Sequence, residues 1–478
     1  MLISRNRFPI LCFILLAFTT SILLTMQSTN NAVSIVLSML MFNIFVGSAP
    51  EKRRDVFFFF NLTFFTFLVG LILVDWINGQ TVLGKYTEEI RSSTIMALCV
   101  SLICILMGQF LSENFSFRRN KVLVEEEQID VDEYLRKYGN ILKITYIVFY
   151  ITFPFSFLDT LDRASYVIDN SYTALYVAFQ SKMPYILVKL GELNTIVFAL
   201  LCCTEIRKEK IQLPCVLFLV FSVLSLAIGK RNVFVLNIIM FIVAMRYMNN
   251  KMRKSTGDVL YTNRIIWIAA VALPIMIVVL EMIGNTRDLG YSRAYSSQGM
   301  LNSIESFFYK QGGQITFLSD TIQQKPVIDK PLVPFTFSSV YNYFRNLFGL
   351  TNYKMYTLDY IKYGNYLGAS LTQIVSPGTI LSGKGSGCCY IAELYYDWGF
   401  AGIVIGGIVL GYILGRLKIS DAREPWFNAF ILLMIRWIVY IPRSSYLDWI
   451  SYPLNIWNIV IVIAIVMADR VIKRRALR

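Results

Sequence analysis

The 478-residue sequence contains no histidine, and this absence removes several kinds of catalytic site. Histidine-based zinc sites need the imidazole as a ligand, and Ser-His or Cys-His nucleophile pairs need it as the base. The eight cysteines show no CxxC spacing, and most of them lie inside apolar runs, where a thiol behaves as a small hydrophobic group. These features exclude histidine-dependent chemistry and give no indication of a cysteine-based metal site.

The sequence also lacks the motifs of nucleotide-binding proteins. It contains no Walker motif and no GxGxxG fingerprint, and no internal repeat is visible. Energy from nucleotide hydrolysis is therefore not expected to be part of the mechanism.

Acidic residues are scarce relative to basic ones: 31 Asp and Glu stand against 45 Lys and Arg, a formal net charge of +14. Charged residues make up only 16% of the chain, 56% of residues are hydrophobic, and the mean hydropathy is +0.55. This balance excludes an ordinary soluble protein and indicates a membrane protein whose Lys and Arg flank the spans on the cytoplasmic side. We therefore expect the lipid bilayer, and no nucleic acid, as a partner.

Apolar runs recur along the chain, and each is long enough to cross a bilayer about 30 Å thick. The sequence predicts an all-α polytopic membrane protein with about 12 transmembrane helices, at about residues 8–26, 32–49, 56–77, 94–112, 140–159, 184–204, 213–229, 232–249, 265–283, 398–416, 426–441 and 454–472. It divides the chain into helices 1–9 (1–283), a large external loop with amphipathic helices (284–397), and helices 10–12 with a cytoplasmic tail (398–478).

Basic residues cluster in alternate connecting segments, for example 118–121, 207–210 and 473–475, whereas the segments between them, such as 27–31, carry few or none. The positive-inside rule then places both termini in the cytoplasm and the large loop outside.

One short external turn breaks this rule, because Lys230 and Arg231 lie between the seventh and eighth predicted spans. Long basic side chains can reach lipid headgroups from such a position, which would make their role structural. Alternatively they form a fixed cationic pair for an anionic ligand at the outer face. The break in the rule favours this second interpretation.

Further arginines lie on the predicted external side: Arg287 and Arg293 follow span nine, Arg345 lies in the loop, and Arg443 follows span eleven. The guanidinium group donates paired hydrogen bonds to phosphate oxygens and stays charged at any relevant pH. Taken singly, each is an ordinary interface anchor. Together they favour a site that holds a lipid-linked diphosphate as its charge grows on departure.

The large loop is too aromatic for a disordered segment, and we expect it to cover the active site, with a helix over about 300–322 and aromatic amphipathic helices on the outer leaflet. It ends in a glycine segment in which Gly385 and Gly387 let backbone amides approach an anion, or simply make the loop flexible.

A helix follows these glycines, and helical spacing places Glu393, Tyr396, Asp397 and Phe400 on one face. Glu393 is the best candidate for a general base or an orienting carboxylate, with an ion pair to a loop arginine as the alternative. Asp397 is the second candidate catalytic carboxylate, although its position just before an apolar run favours a structural role. We expect Glu393 and the external cations to meet in one pocket.

The apolar run that follows carries glycines every four or five residues, a spacing typical of close packing between membrane helices (Gly402, Gly406, Gly407, Gly411 and Gly415).

The sequence resembles the bacterial O-antigen polysaccharide polymerase (Wzy) family. The resemblance lies in the many spans, the long external loop late in the chain, the segment IAELYYDWGFAG with its glycine-rich span, the external GKRN turn, and the arginines after span nine. The local motif covers about 383–402.

This resemblance implies a GT-C-type glycosyltransferase that requires no metal and no cofactor. It would transfer a growing glycan from undecaprenyl diphosphate to an undecaprenyl-diphosphate-linked repeat unit, at the periplasmic face of the inner membrane. Glu393 and Asp397 would be the catalytic carboxylates, and Lys230, Arg231, Arg287, Arg293 and Arg443 would bind the diphosphate. Tyr396, Arg345, Gly385 and Gly387 would support the substrate and the loop, and a chain-length regulator would be a further partner.

Two other functions fit parts of the pattern. O-antigen ligases share the architecture but are associated with an external histidine motif, which this chain cannot supply. A flippase or transporter of lipid-linked sugars would be expected to show repeated halves and charges at mid-membrane, whereas here the charges cluster at the predicted outer face.

Overall fold

The computed structural model describes residues 29–48, 54–117, 129–170, 172–260, 274–284, 299–350, 353, 355–421 and 423–476. Within these ranges the chain forms helices joined by turns and irregular segments, without a strand. The first predicted span, 8–26, lies outside the described residues.

The helices follow one another as α1 (Thr29–Ser48), α2 (Asp55–Ile77, with a π-helical turn at Phe65–Val69), α3 (Glu88–Phe117), α4 (Val131–Asp169), α5 (Ala174–Val177), α6 (Tyr185–Glu192), α7 (Asn194–Thr204), α8 (Lys208–Ala227), α9 (Arg231–Ser255), α10 (Pro274–Gly284), α11 (Met300–Gln311), α12 (Gln314–Gln324), α13 (Ser338–Leu347), α14 (Leu358–Tyr363), α15 (Leu367–Val375), α16 (Tyr390–Arg416), α17 (Pro425–Ile438), α18 (Asp448–Ser451) and α19 (Ile456–Ala476). The single helix predicted over about 300–322 is instead two helices, α11 and α12, separated at Gly312 and Gly313.

Eight helical stretches are long and apolar enough to cross a membrane: Asp55–Ile77, Glu88–Asn114, Val131–Asp169, Tyr185–Thr204, Lys208–Ala227, Arg231–Ser255, Tyr390–Arg416 and Asp448–Arg475. Shorter apolar helices occupy Ala32–Ser48, Pro274–Gly284 and Pro425–Ile438. Each predicted span that the described residues cover, wholly or in part, therefore corresponds to an apolar helix. The polytopic helical fold class is confirmed.

The chain divides into two compact units. The first comprises residues 1–122, 305–418 and 438–448, and the second comprises 123–304, 419–437 and 449–478. Glu393 belongs to the first unit and Lys230 to the second. The topological division at residues 283 and 397 stays a prediction.

The first unit is built around the packing of α3 against α16, and glycine makes this packing close. An added Cβ at Gly407 would lie 2.8 Å from the Cβ of Cys104, and one at Gly411 would clash with the carbonyl oxygen of Ile105. Conversely, a Cβ at Gly108 of α3 would clash with the backbone of α16. The two helices therefore touch through their backbones, as the glycine spacing predicts.

We expect Gly411→Ala to destabilise the protein by about 1–3 kcal/mol, because the added methyl group must push α3 away from α16. The matched control is Gly139→Ala in α4, where no atom lies within 4 Å of an added Cβ. Alanine should be tolerated there and should even favour the helix. Thermal unfolding of the purified variants in detergent measures both effects. Equal melting temperatures for Gly411→Ala and the wild type would contradict this description of the interface.

Helix α16 is kinked at Gly399, whose φ of 63° and ψ of −149° belong to a region that only glycine adopts readily. Glu393, Tyr396 and Asp397 precede the kink, whereas Phe400 follows it. The single helical face predicted for these four residues is therefore interrupted, and the carboxylates belong to a short helical segment at the start of α16.

Candidate functional site

Glu393 lies in the first turn of α16 and is completely buried, with 0% of its surface exposed. Its Oε2 accepts a hydrogen bond from the Tyr446 backbone N–H at 2.8 Å, and its Oε1 accepts one from the Cys388 thiol at 3.1 Å. Burial, reinforced by the charge of Glu393, raises the pKa of the Cys388 thiol, so the thiol remains a donor at neutral pH. The carboxylate is thus held through both of its oxygens.

The alternative predicted for Glu393 was an ion pair with a loop arginine. In the part of the chain that the structure describes, no Arg or Lys side chain lies in salt-bridge contact with this carboxylate. The partners of Glu393 are instead neutral donors, one of them from a turn more than 50 residues away along the chain.

The turn that donates to Glu393, residues 443–448, contains a second buried carboxylate. Oδ2 of Asp448 accepts a hydrogen bond from the Ser445 backbone N–H at 3.1 Å, and its Oδ1 accepts one from the Ser339 hydroxyl of α13. Asp448 is 9% exposed. Two carboxylates on different elements therefore fix the conformation of this turn.

Arg443 begins this turn and is half-buried. Its Nη1 donates a hydrogen bond to Oε1 of Gln311 at 2.6 Å, and its guanidinium lies over the ring of Phe67, 5.3 Å from the centroid. The neutral amide of Gln311 and the ring of Phe67 orient the guanidinium, but neither of them carries a negative charge that would neutralise it. This environment suits a guanidinium that receives an anion.

Asp397 anchors another segment of the predicted external loop. Its Oδ1 accepts from the Phe335 backbone N–H at 3.0 Å, while its Oδ2 accepts from the Thr336 backbone N–H at 2.8 Å and from the Thr336 hydroxyl at 2.7 Å. The Tyr396 hydroxyl donates to the Ile328 carbonyl at 3.0 Å. These contacts give both residues a structural function in holding the loop, and a catalytic role for Asp397 stays a prediction.

The remaining support residues also hold the loop. Arg345 of α13 donates from Nη1 to the Tyr363 carbonyl at 3.0 Å, and its guanidinium lies 4.8 Å from the ring centroid of Tyr353. Gly387 has a φ of 80°, and an added Cβ at Gly385 would meet no atom within 4 Å. The predicted contact of these glycines with an anion stays a prediction.

Lys230 and Arg231 are neighbours in the sequence but have different surroundings. Arg231 donates from Nη1 to the Leu280 carbonyl at 3.1 Å and lies 3.8 Å from Oε2 of Glu281, so it joins α9 to α10. Lys230 places its Nζ 5.9 Å from the ring centroid of Tyr176. The two side chains therefore have different partners, and a shared role in binding an anion stays a prediction.

The first unit brings Glu393 and the turn that begins with Arg443 into direct contact, and both Asp397 and Arg345 lie in the same unit. Arg287 and Arg293 fall outside the described residues. A common pocket for the external cations and Glu393 stays a prediction.

Neither Asp448, which holds the turn, nor Cys388, which donates a hydrogen bond to Glu393, was identified from the sequence. A signal for Asp448 was present, because the Ser-x-x-Asp spacing of Ser445 and Asp448 is that of a capping box. Nothing in the sequence indicates the contact between Cys388 and Glu393, since an apolar neighbourhood suits a cysteine without any functional partner.

No cluster of three or more His, Cys, Asp or Glu side chains that could hold a metal ion occurs in the described ranges. Metal independence stays a prediction that the family resemblance implies.

The family model for the O-antigen polysaccharide polymerase Wzy matches residues 8–476, nearly the whole chain. Comparisons with the curated proteins and with the solved structures return no match.

Proposed function

Because the chain belongs to the O-antigen polysaccharide polymerase (Wzy) family, we propose that it transfers a growing glycan from undecaprenyl diphosphate to an undecaprenyl-diphosphate-linked repeat unit. The family match over residues 8–476 carries this proposal. The family implies a lipid-linked oligosaccharide substrate, and the apolar helices agree with a membrane-embedded enzyme. The proposal includes four further details: an undecaprenyl carrier, the GT-C type of glycosyltransferase, an active site on the periplasmic side and cytoplasmic termini.

The reaction joins two lipid-linked molecules. A hydroxyl oxygen of the acceptor sugar forms a bond to the anomeric carbon of the donor glycan, and the bond from that carbon to the diphosphate oxygen breaks. The diphosphate leaves with the electron pair, and the hydroxyl proton passes to a base. Because negative charge grows on the leaving group, a cation fixed beside it lowers the barrier.

Arg443 is our candidate for this cation in the first unit. Its guanidinium is oriented by Gln311 and Phe67, and neither partner neutralises its charge. Arg287 and Arg293 remain further candidates from the sequence.

We assign Glu393 an orienting role. A carboxylate that is fully buried and engaged through both oxygens is well suited to hold the turn from which Arg443 extends. Asp448 holds the same turn from its other end. A displacement of about 1 Å at a catalytic group can lower the rate by about 100-fold. A rigid turn that keeps Arg443 in place therefore supports the reaction rate.

Deletion of the gene, followed by gel analysis of surface polysaccharide, tests the proposal. A polymerase deletion should leave molecules with a single repeat unit, and the intact gene on a plasmid should restore the ladder of longer chains. Complete loss of repeat units would instead favour a flippase or a ligase. An unchanged ladder would contradict a role in polymerisation.

A further inference from the structure

A group of charged and aromatic side chains in the second unit surrounds Lys230. Lys230 lies between two candidate spans, Lys208–Ala227 and Arg231–Ser255, and therefore at a surface of the membrane. Beneath it, Ile228 packs with Ala164 and Leu175 into a small apolar cluster. This cluster brings the turn between α8 and α9 against the C-terminal part of α4, where Arg163 lies.

Arg163 is the second cation at this position. Its Nε donates to Oδ2 of Asp159 at 2.7 Å, one helical turn earlier in α4, and its guanidinium lies 5.0 Å from the ring centroid of Phe179. The aspartate and the aromatic ring thus fix the plane of the guanidinium. Its two terminal nitrogens donate no hydrogen bond to any described residue.

Lys230 and Arg163 influence each other electrostatically. Burial lowers the pKa of Lys230, the charge of Arg163 lowers it further, and the carboxylates of Asp159 and Glu192 partly offset these effects. Within the described residues the Lys230 ammonium forms no hydrogen bond or ion pair, and its Nζ lies 5.9 Å from the ring centroid of Tyr176. Two cations with unused donors thus lie near each other in a half-buried position.

Three other cations at this end of the second unit have partners of their own. Lys189 bonds to Oε2 of Glu192 at 2.6 Å, and Lys182 lies 3.8 Å from Oδ1 of Asp162. Arg231 is directed to α10, as described above. Among these five described cations, Lys230 and Arg163 therefore keep donors available to a ligand.

We propose that Lys230 and Arg163 together bind a phosphate group of a lipid at the membrane surface. Phosphate oxygens accept hydrogen bonds from ammonium and guanidinium donors, and an anionic ligand relieves the repulsion between two neighbouring cations. Lys230 lies between two candidate spans and Arg163 lies in the last two turns of a third, so the cluster is positioned to meet a lipid headgroup. Arg163, rather than Arg231, is then the partner of Lys230.

The phosphate has two sources: the diphosphate of the lipid-linked substrate, or the headgroup of an anionic phospholipid. The first source rests on the proposed function and is the one that we favour. In that case Lys230 and Arg163 would hold one of the two lipid diphosphates during polymerisation.

Binding to the purified full-length protein in phosphatidylcholine nanodiscs tests this inference, with farnesyl diphosphate as the soluble probe. Lys230→Gln and Arg163→Gln should each weaken binding about tenfold, the usual effect of removing one charge-assisted hydrogen bond. Arg163→Lys keeps the charge and should bind more tightly than Arg163→Gln. The matched control is Lys182→Gln, which removes an exposed cation at the same end of the unit and should leave the affinity unchanged.

Wild-type affinity in the Lys230→Gln/Arg163→Gln double variant, with an unchanged melting temperature, would overturn the inference. Replacing part of the phosphatidylcholine with phosphatidylglycerol distinguishes the two sources. If phosphatidylglycerol displaces farnesyl diphosphate from the wild type, the pair binds phosphate and the phospholipid is an occupant; if it does not, the pair is selective for the diphosphate. These binding measurements are independent of polymerisation, so an unchanged glycan ladder after gene deletion would remove the proposed function without removing this site.

Discussion

Replacing Glu393 with glutamine is expected to shorten the surface glycan to molecules with a single repeat unit. The glutamate accepts hydrogen bonds on both oxygens, from the Cys388 thiol and the Tyr446 backbone N–H. Glutamine offers one acceptor and one NH₂ group, so one of the two hydrogen bonds is lost: the NH₂ group faces either the Tyr446 backbone N–H or the Cys388 sulfur, which is only a weak acceptor. This mismatch costs about 1–3 kcal/mol and displaces the turn that begins with Arg443.

We expect a fall of about 100-fold in the amount of polymer, because small displacements of a catalytic group have effects of this size. Gel analysis of surface polysaccharide measures it, with the membrane level of each variant quantified. The matched control is Glu89→Gln, which neutralises an exposed glutamate in the first turn of α3 of the same unit. A wild-type ladder from Glu393→Gln at wild-type protein level would rule out the role assigned to this carboxylate.

Replacing Arg443 with alanine is expected to have a similarly large effect, about 100- to 1,000-fold on polymer formation, because it removes the cation that stabilises the leaving diphosphate. Arg443→Lys should retain part of the activity, since it keeps the charge but loses the planar guanidinium. The same polysaccharide gels measure both variants.

Gln311→Ala separates this catalytic role from a structural one. Gln311 accepts the hydrogen bond from Nη1 of Arg443, so its removal breaks that contact without removing the guanidinium. We expect Gln311→Ala to lower the amount of polymer by no more than about tenfold, because it removes one hydrogen bond that orients the guanidinium and leaves the charge in place. Equal losses in Gln311→Ala and Arg443→Ala would indicate that Arg443 serves the packing of the turn and not the substrate.

The fold was predictable to the extent that it depends on local composition. Uninterrupted apolar runs predict apolar helices, and each predicted span within the described residues corresponds to one, although three of these helices are shorter than a full membrane span. The glycine spacing of α16 likewise predicts backbone contact with a neighbouring helix, and α3 is that neighbour. These features follow from the sequence because they need only the length, apolarity and periodicity of a single segment.

The environment of the candidate site was not predictable, because it depends on contacts between distant segments. Glu393 is buried by a turn more than 50 residues later in the chain, and helical periodicity cannot reveal such a partner. The kink at Gly399 was equally hidden, since a glycine in a membrane helix is usually a packing residue.

Arg163 was not predicted as a binding residue, for a different reason. The predicted span ended at residue 159, whereas α4 continues to Asp169 and so places Asp159 and Arg163 on consecutive turns of one helix. The apolar run ends at about residue 159, but the helix continues to Asp169.

The most direct test of polymerase activity is reconstitution of the purified protein in liposomes with undecaprenyl-diphosphate-linked repeat unit as the sole substrate. The wild type should produce lipid-linked chains of several repeat units and release undecaprenyl diphosphate in proportion to the linkages formed, and Arg443→Ala should produce neither. Failure of the correctly folded wild type to join any two repeat units would contradict the account.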